Sequence, residues 1–139
     1  MMMKEMELVE IQIRGDAGPH TVVLREKEGT RSFPIYIGPY EVLALDQSLH
    51  GQHAPRPMTH DLVLNTIEEM GGELTGVIVE ELRGDTYIGK LLVRTADGET
   101  ARVDARPSDS LVLASKRRVP IYAAEEVLEA ASLGDDDEE

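Results

Sequence analysis

Phe33-Pro34-Ile35-Tyr36-Ile37-Gly38-Pro39-Tyr40-Glu41-Val42-Leu43-Ala44-Leu45 is the stretch in which the hydrophobic rhythm of the chain changes. Phe33, Ile35 and Ile37 alternate with other residues, the period of a strand with one buried face. Past Gly38-Pro39 the apolar positions become Val42, Leu45 and Leu49, three and four apart. That spacing predicts a helix over about 39–50, with Pro39 at its start. Pro34 has no N–H to give a ladder, so it marks an edge position or a bulge.

Working outward, Val9, Ile11 and Ile13 alternate with Glu10, Gln12 and Arg14, a half-buried strand. Asp16-Ala17-Gly18-Pro19 is turn chemistry, Thr21 to Glu26 a second strand, and Glu28-Gly29 the turn before Phe33. On the other side, residues 50–57 form a loop. A second helix is predicted from Thr59 to Met70, with Val63, Ile67 and Met70 inward and Gly71-Gly72 as its stop. Strands follow near 74–82, 86–95 and 99–105, divided by the hairpin signals Arg83-Gly84-Asp85 and Asp97-Gly98. A third helix runs from Pro107 or Ser108 to about Arg118. A strand through Val119-Pro120-Ile121-Tyr122 and a helix near 125–131 complete the pattern. Strand runs and helix runs are segregated, which predicts one α+β domain over 1–133 with a mainly antiparallel or mixed sheet. Residues 134–139 are expected to form a disordered acidic tail.

Composition excludes several classes. The 139 residues contain no cysteine, so there is no disulfide, thiolate metal site or cysteine nucleophile. No apolar run reaches the roughly 18 residues that a membrane span needs. The opening Met1-Met2-Met3-Lys4-Glu5 lacks the apolar core of a signal peptide, and the expected location is the cytoplasm. The formal net charge is −13, and removing the five acidic residues 135–139 still leaves −8. Such a body repels polyanions at long range unless a local basic patch or a bridging cation intervenes. One phenylalanine and four tyrosines are a poor supply of base-stacking platforms. There is no Gly-rich phosphate loop, no Gly-x-Ser-x-Gly elbow and no His-Glu-x-x-His.

Two segments carry the candidate chemistry: Arg56-Pro57-Met58-Thr59-His60-Asp61-Leu62 and Arg106-Pro107-Ser108-Asp109-Ser110-Leu111. Each puts an Arg-Pro pair just before a helix and an acid in or near its first turn. One reading is capping, with Thr59 or Ser108 taking the exposed N–H groups and Asp61 or Asp109 complementing the helix dipole. Another is a phosphate site built from helix N–H groups and the arginines. A third gathers His60, Asp61, Asp104 and Asp109 around Mg²⁺ or Mn²⁺, if the two helix starts converge. Asp104 pairing with Arg102 or Arg106 is the structural alternative. Spacing alone does not choose among these. His50 and His53 read as exposed loop histidines.

The segments Phe33–Gly38, Arg56–Leu62, Val103–Ser110 and Val119–Tyr122 together resemble the bifunctional nuclease (DNase/RNase) domain family, in its order and intervals, over about residues 6–131. The resemblance implies a small α+β fold that assembles as a homo-oligomer, dimer or larger, and hydrolyses phosphodiester bonds of DNA and RNA. It implies a site at Arg56, Thr59, His60, Asp61, Asp104, Arg106, Ser108 and Asp109. On that implication Asp61, Asp104 and Asp109 hold a divalent cation, Mg²⁺ or Mn²⁺, and His60 moves the proton. Arg56 and Arg106, with Thr59 and Ser108, hold the phosphate. The rival expectation is a non-catalytic module that uses the same motifs for a small anion or a protein partner.

Overall fold

A computed structural model describes residues 2–15 and 19–136. The expected turn at 16–18 and the end of the acidic tail, 137–139, lie outside the described residues. The order is three strands, two helices, three strands, a helix, a strand and a helix. The elements are β1 (Met3–Gln12), β2 (His20–Glu26), β3 (Ser32–Ile37), α1 (Pro39–Leu49), α2 (Thr59–Glu69), β4 (Glu73–Arg83), β5 (Thr86–Arg94), β6 (Thr100–Ala105), α3 (Pro107–Arg117), β7 (Ile121–Ala124) and α4 (Glu125–Asp136). The fold is α+β. All seven strands join one mixed sheet in the order β3-β2-β1-β7-β4-β5-β6. β4 and β7 pair in parallel and every other neighbouring pair is antiparallel. Pro34 sits on the edge strand β3, where its missing donor costs no ladder bond.

The sheet is strongly curled. Five interstrand steps separate β3 from β5, which in a flat sheet would set them about 24 Å apart. Yet the rings of Phe33 on β3 and Tyr87 on β5 stack with centroids 5.2 Å apart. α3 lies within this curl. Its buried residues are Ser108, Ser110, Leu111, Val112, Leu113 and Ala114, a continuous band rather than one stripe. A helix buried on more than one side needs neighbours all round. Leu111 and Val112 join the core of Val22, Leu24, Phe33, Leu45 and Leu128. Leu113 and Ala114 join a second core with Leu64 of α2 and Val77, Leu91 and Val93 of the sheet. α3 is thus the axis on which both cores meet, and its first turn emerges at the mouth of the curl.

Gly89 makes that emergence possible. A Cβ there would stand 2.8 Å from the Ala105 carbonyl oxygen and 3.2 Å from the Pro107 nitrogen, both backbone atoms that cannot swing away. A side chain on β5 would therefore push aside the turn from β6 into α3.

Several inward positions differ from the alternation and helical periods. The register of β1 shifts between Leu8 and Glu10, a bulge that turns Val9 outward and brings Leu8 and Ile11 to the core face. Val9 and Ile13 are exposed. Leu49 ends α1 and Met70 caps the end of α2, and both are exposed, while Leu64, six residues before Met70, is fully buried. The stop at Gly71-Gly72 holds: the Gly72 N–H reaches the Ile67 carbonyl at 2.9 Å and Gly71 takes a φ of +85°. β7 starts at Ile121 rather than Val119. It is flanked by β1 and β4, so a proline cannot serve inside it and Pro120 precedes it. α4 continues past Ala131 to Asp136.

Candidate functional site

Three helix starts share one design: α1 is preceded by Gly38, α2 by Met58 and α3 by Arg106, and each carries an acid at its third position. Those acids are Glu41, Asp61 and Asp109, placed where a negative charge complements the helix dipole. Thr59 and Ser108 are not the caps; they lie inside the first turn of α2 and α3, which begin one and two residues earlier than a hydroxyl cap at those positions requires. In α2 the acid itself does the local work, accepting the Met58 N–H on Asp61 Oδ2 at 2.9 Å. Lys116 Nζ approaches Asp61 Oδ1 at 3.0 Å. The Met58 hydrogen bond, reinforced by Lys116, outweighs burial and holds the Asp61 carboxyl below its usual range.

Asp109 does something different. Its Oδ1 lies 2.9 Å from His60 Nε2 on α2, and its Oδ2 accepts Arg106 Nε at 2.9 Å. Arg106 Nη2 donates in turn to Glu41 Oε1 on α1 at 2.6 Å. The chain Glu41–Arg106–Asp109–His60 therefore ties the three helix starts together. Burial pushes the Asp109 carboxyl up, but the hydrogen bonds and charges of Arg106 and His60 outweigh it and leave it below the usual range. The Arg106 guanidinium, held by two carboxylates, is pushed up.

This chain borders a cleft of about 620 Å³ lined by Tyr40, Glu41, Thr59, His60, Asp104, Arg106 and Asp109, over an apolar floor that includes Val63, Leu91 and Leu113. When Asp109 accepts the proton of His60 Nε2, the lone pair of the ring lies on Nδ1. Nδ1 has no protein partner among the described residues, and no buried side-chain nitrogen or oxygen there lacks one, so Nδ1 is open to solvent. The arrangement is an oriented imidazole with a free basic nitrogen, beside a guanidinium that keeps Nη1 uncommitted.

Of the residues picked out in the sequence, Thr59, His60, Asp104, Arg106 and Asp109 line this one cleft. Asp61 points away to Lys116. Ser108 is buried, and with Arg106 it borders a neighbouring cleft instead. Arg56 stands exposed in the loop before α2 and does not line the cleft. Asp104, on the edge strand β6, has an 81% exposed side chain and pairs with Lys90 Nζ at 3.5 Å, not with Arg102 or Arg106. Arg102 is taken by Glu80.

The two helix starts converge, as a cation site would require, but the three aspartates do not. Among the described residues no group of three or more His, Asp or Glu side chains is placed to hold a metal ion. The trio Asp61, Asp104 and Asp109 thus does not fit a resident Mg²⁺ or Mn²⁺. Glu41 and Tyr40 are the cleft residues that sequence reasoning passed over. The signal was present in Gly38-Pro39-Tyr40-Glu41, a third proline-led helix start with an acid in its first turn.

Relatives share this architecture's sequence. The model of the bifunctional nuclease domain matches residues 22–136. This chain belongs to the bifunctional nuclease domain family. Over 131 residues it is 36% identical to an uncharacterized protein of Mycobacterium tuberculosis, covering 94% of this chain and 77% of that one. It is 28% identical over 114 residues to bifunctional nuclease 1 of Oryza sativa subsp. japonica, covering 80% of this chain and 34% of the rice protein. Bifunctional nuclease 2 of the same plant is 27% identical over 103 residues, covering 72% of this chain and 32% of its own. The family segment thus spans about a third of each rice protein. No helix among the described residues is long and apolar enough to cross a membrane.

Proposed function

We propose that this chain hydrolyses phosphodiester bonds of DNA and RNA, and that it does so in the cleft between the starts of α1, α2 and α3. The observation that carries the reading is the His60–Asp109 contact at 2.9 Å, with Arg106 on the second oxygen of the same carboxylate. Asp109 orients the imidazole and stabilises it when it is protonated. His60 Nδ1 takes a proton from the attacking water as its oxygen bonds to phosphorus; the bond from phosphorus to the leaving sugar oxygen breaks, and solvent returns a proton to that oxygen. Arg106 offers Nη1 to a non-bridging phosphate oxygen, where charge accumulates in the transition state. The Thr59 hydroxyl, on the cleft wall beside His60, supplies a further donor.

Charge sets the limits of this site. Glu41, Asp104 and Asp109 outnumber Arg106 in the cleft lining, and Lys90 pairs with Asp104 at its edge. A polyanion is held weakly there. In this proposal Mg²⁺ or Mn²⁺ enters only as the counter-ion of the polyanion, because the aspartates do not form a cage for it.

One observation favours a second reading. Arg106 is engaged by two carboxylates, and the half-buried Asp109 bridges α2 and α3. That is the pattern of a structural tether in a non-catalytic anion-binding or regulatory module. Cleavage of fluorescent single-stranded RNA and DNA by purified protein separates the two, run with Mg²⁺, Mn²⁺ or EDTA beside a His60→Ala/Asp109→Ala double variant. Hydrolysis that disappears in the double variant supports the enzyme. Equal background in both proteins leaves the module.

A further inference from the structure

Arg106 stands between two clefts. On its far side lies a second cavity, of about 460 Å³, bounded by Tyr36 and Ile37 of β3, Asp85 and Tyr87 at the start of β5, and Pro107 of α3. Most of its wall is apolar. Tyr36 leaves the edge strand on the face opposite Ile35 and Ile37, with 65% of its surface in water. Among the described residues its side chain has no ring contact or hydrogen bond. Tyr87 forms another part of the wall, its ring fixed by stacking on Phe33. The chain has few aromatic residues, but its two most exposed tyrosines sit one in each cleft. Tyr36 and Tyr40 flank Gly38-Pro39, and Tyr40 is 84% exposed.

This distribution has a chemical reading. An aromatic ring left in water beside an apolar wall forms a receptor for a flat, poorly hydrated ring. The charged residues that line the second cavity are Arg106, which it shares with the first, and Asp85, which it does not. A phosphate pushed into the cavity would meet the Asp85 carboxylate, whereas an uncharged base with N–H groups on its edge would donate to it.

We propose that the second cavity is a nucleobase subsite. It takes the base of the nucleotide adjoining the phosphate at Arg106, stacked on Tyr36, with Asp85 accepting from the base edge. The ligand class is a single-stranded nucleic acid, because a paired base cannot splay out to reach Tyr36. The register of the strand across Arg106 rests on the hydrolytic reading of the first cleft, but occupation of the cavity by a base does not.

Titration of the full chain with guanosine monophosphate, followed by amide chemical shifts, tests this directly. Ribose 5-phosphate is the control that carries the anion without the base. The expected result is that the nucleotide shifts the amides of 35–38 and 85–87 while ribose 5-phosphate does not. Tyr36→Ala should weaken nucleotide binding about tenfold or more, and Tyr36→Phe should restore it, because stacking needs the ring and not the hydroxyl. An unchanged amide spectrum outside 34–38 confirms that Tyr36→Ala keeps the fold. Equal shifts from ribose 5-phosphate, or wild-type affinity in Tyr36→Ala, would overturn the subsite. The outcomes are separable from those of the cleavage assay. Base binding without cleavage keeps the subsite and removes the hydrolase; cleavage with wild-type KM and wild-type nucleotide affinity in Tyr36→Ala does the reverse.

Discussion

Asp61 and Asp109 occupy the same position, the third residue of a helix whose start is led by an Arg-Pro segment, and they have opposite fates. Asp61 folds back on its own helix, takes the Met58 N–H and faces Lys116. Asp109 reaches off its helix to His60 and Arg106. The difference comes from an arginine in place of a methionine before the helix and from a histidine on another helix. The backbone N–H before α2 is offered to Asp61. At the start of α3 a serine hydroxyl, Ser110 Oγ, satisfies the Arg106 carbonyl, and the Arg106 side chain claims the acid. A helix-start acid is a cap by default. It becomes part of a site when a second helix presents something to orient, and here α2 supplies His60 to the acid of α3.

This contrast can be broken at several points. His60→Ala removes the only imidazole in the network and should lower the cleavage rate about 10²- to 10⁴-fold in initial-rate measurements on labelled RNA. Asp109→Asn should cost about 10²-fold, because the imidazole loses the carboxylate charge beside it and the amide has one acceptor oxygen where His60 and Arg106 use two. Gly89→Ala tests whether α3 alone depends on its anchor. Its Cβ meets the Ala105 carbonyl, so a loss of about 1–3 kcal/mol is expected in denaturant unfolding, with the rate falling in step as Arg106 moves. Asp61→Asn should destabilise by about 1 kcal/mol, because the amide keeps an acceptor for the Met58 N–H but loses the charge that faces Lys116 and the helix dipole. Glu41→Gln is the smallest change; a partly exposed pair of this kind contributes about 0–1 kcal/mol, so denaturant unfolding should hardly move, and KM should stay level or fall as one acid leaves the cleft.

Acidity separates the charge contribution from packing. Both carboxyls sit below their usual range in the folded chain. The stability each provides is therefore complete above the unfolded carboxylate pKa, near about 4, and is lost as the pH falls through the lowered value. The melting-temperature gap between wild type and either Asp→Asn variant should be widest near neutral pH and should shrink as the pH falls through the lowered carboxyl range. A gap that does not shrink with acidification would assign the effect to shape rather than charge.

Much of the fold was legible from local chemistry. The change of period at Gly38-Pro39, the Gly71-Gly72 stop and the edge position of Pro34 are each set by residues within a few positions. What was not legible depends on distant partners. Val9 obeys alternation until the bulge opposite β2 turns it outward. β7 enters the sheet between β1 and β4, a placement that no local signal specifies. α3 carries serines in a buried band because the sheet curls around it. The same holds for the site. His60 and Asp109 could be nominated, but their contact required α2 and α3 to pack side by side, and the pairing of Asp61 with Lys116 could not be read from spacing.

Cleavage rates of Asp61→Asn and Asp109→Asn, measured side by side on single-stranded RNA with Mg²⁺ and with EDTA, test the account most directly. The account predicts that Asp61→Asn stays within about twofold of wild type, since its partners lie outside the cleft, while Asp109→Asn falls by about 10²-fold. Equal and severe losses in both variants, present only with the metal, would contradict it and restore a cation held by the aspartates together.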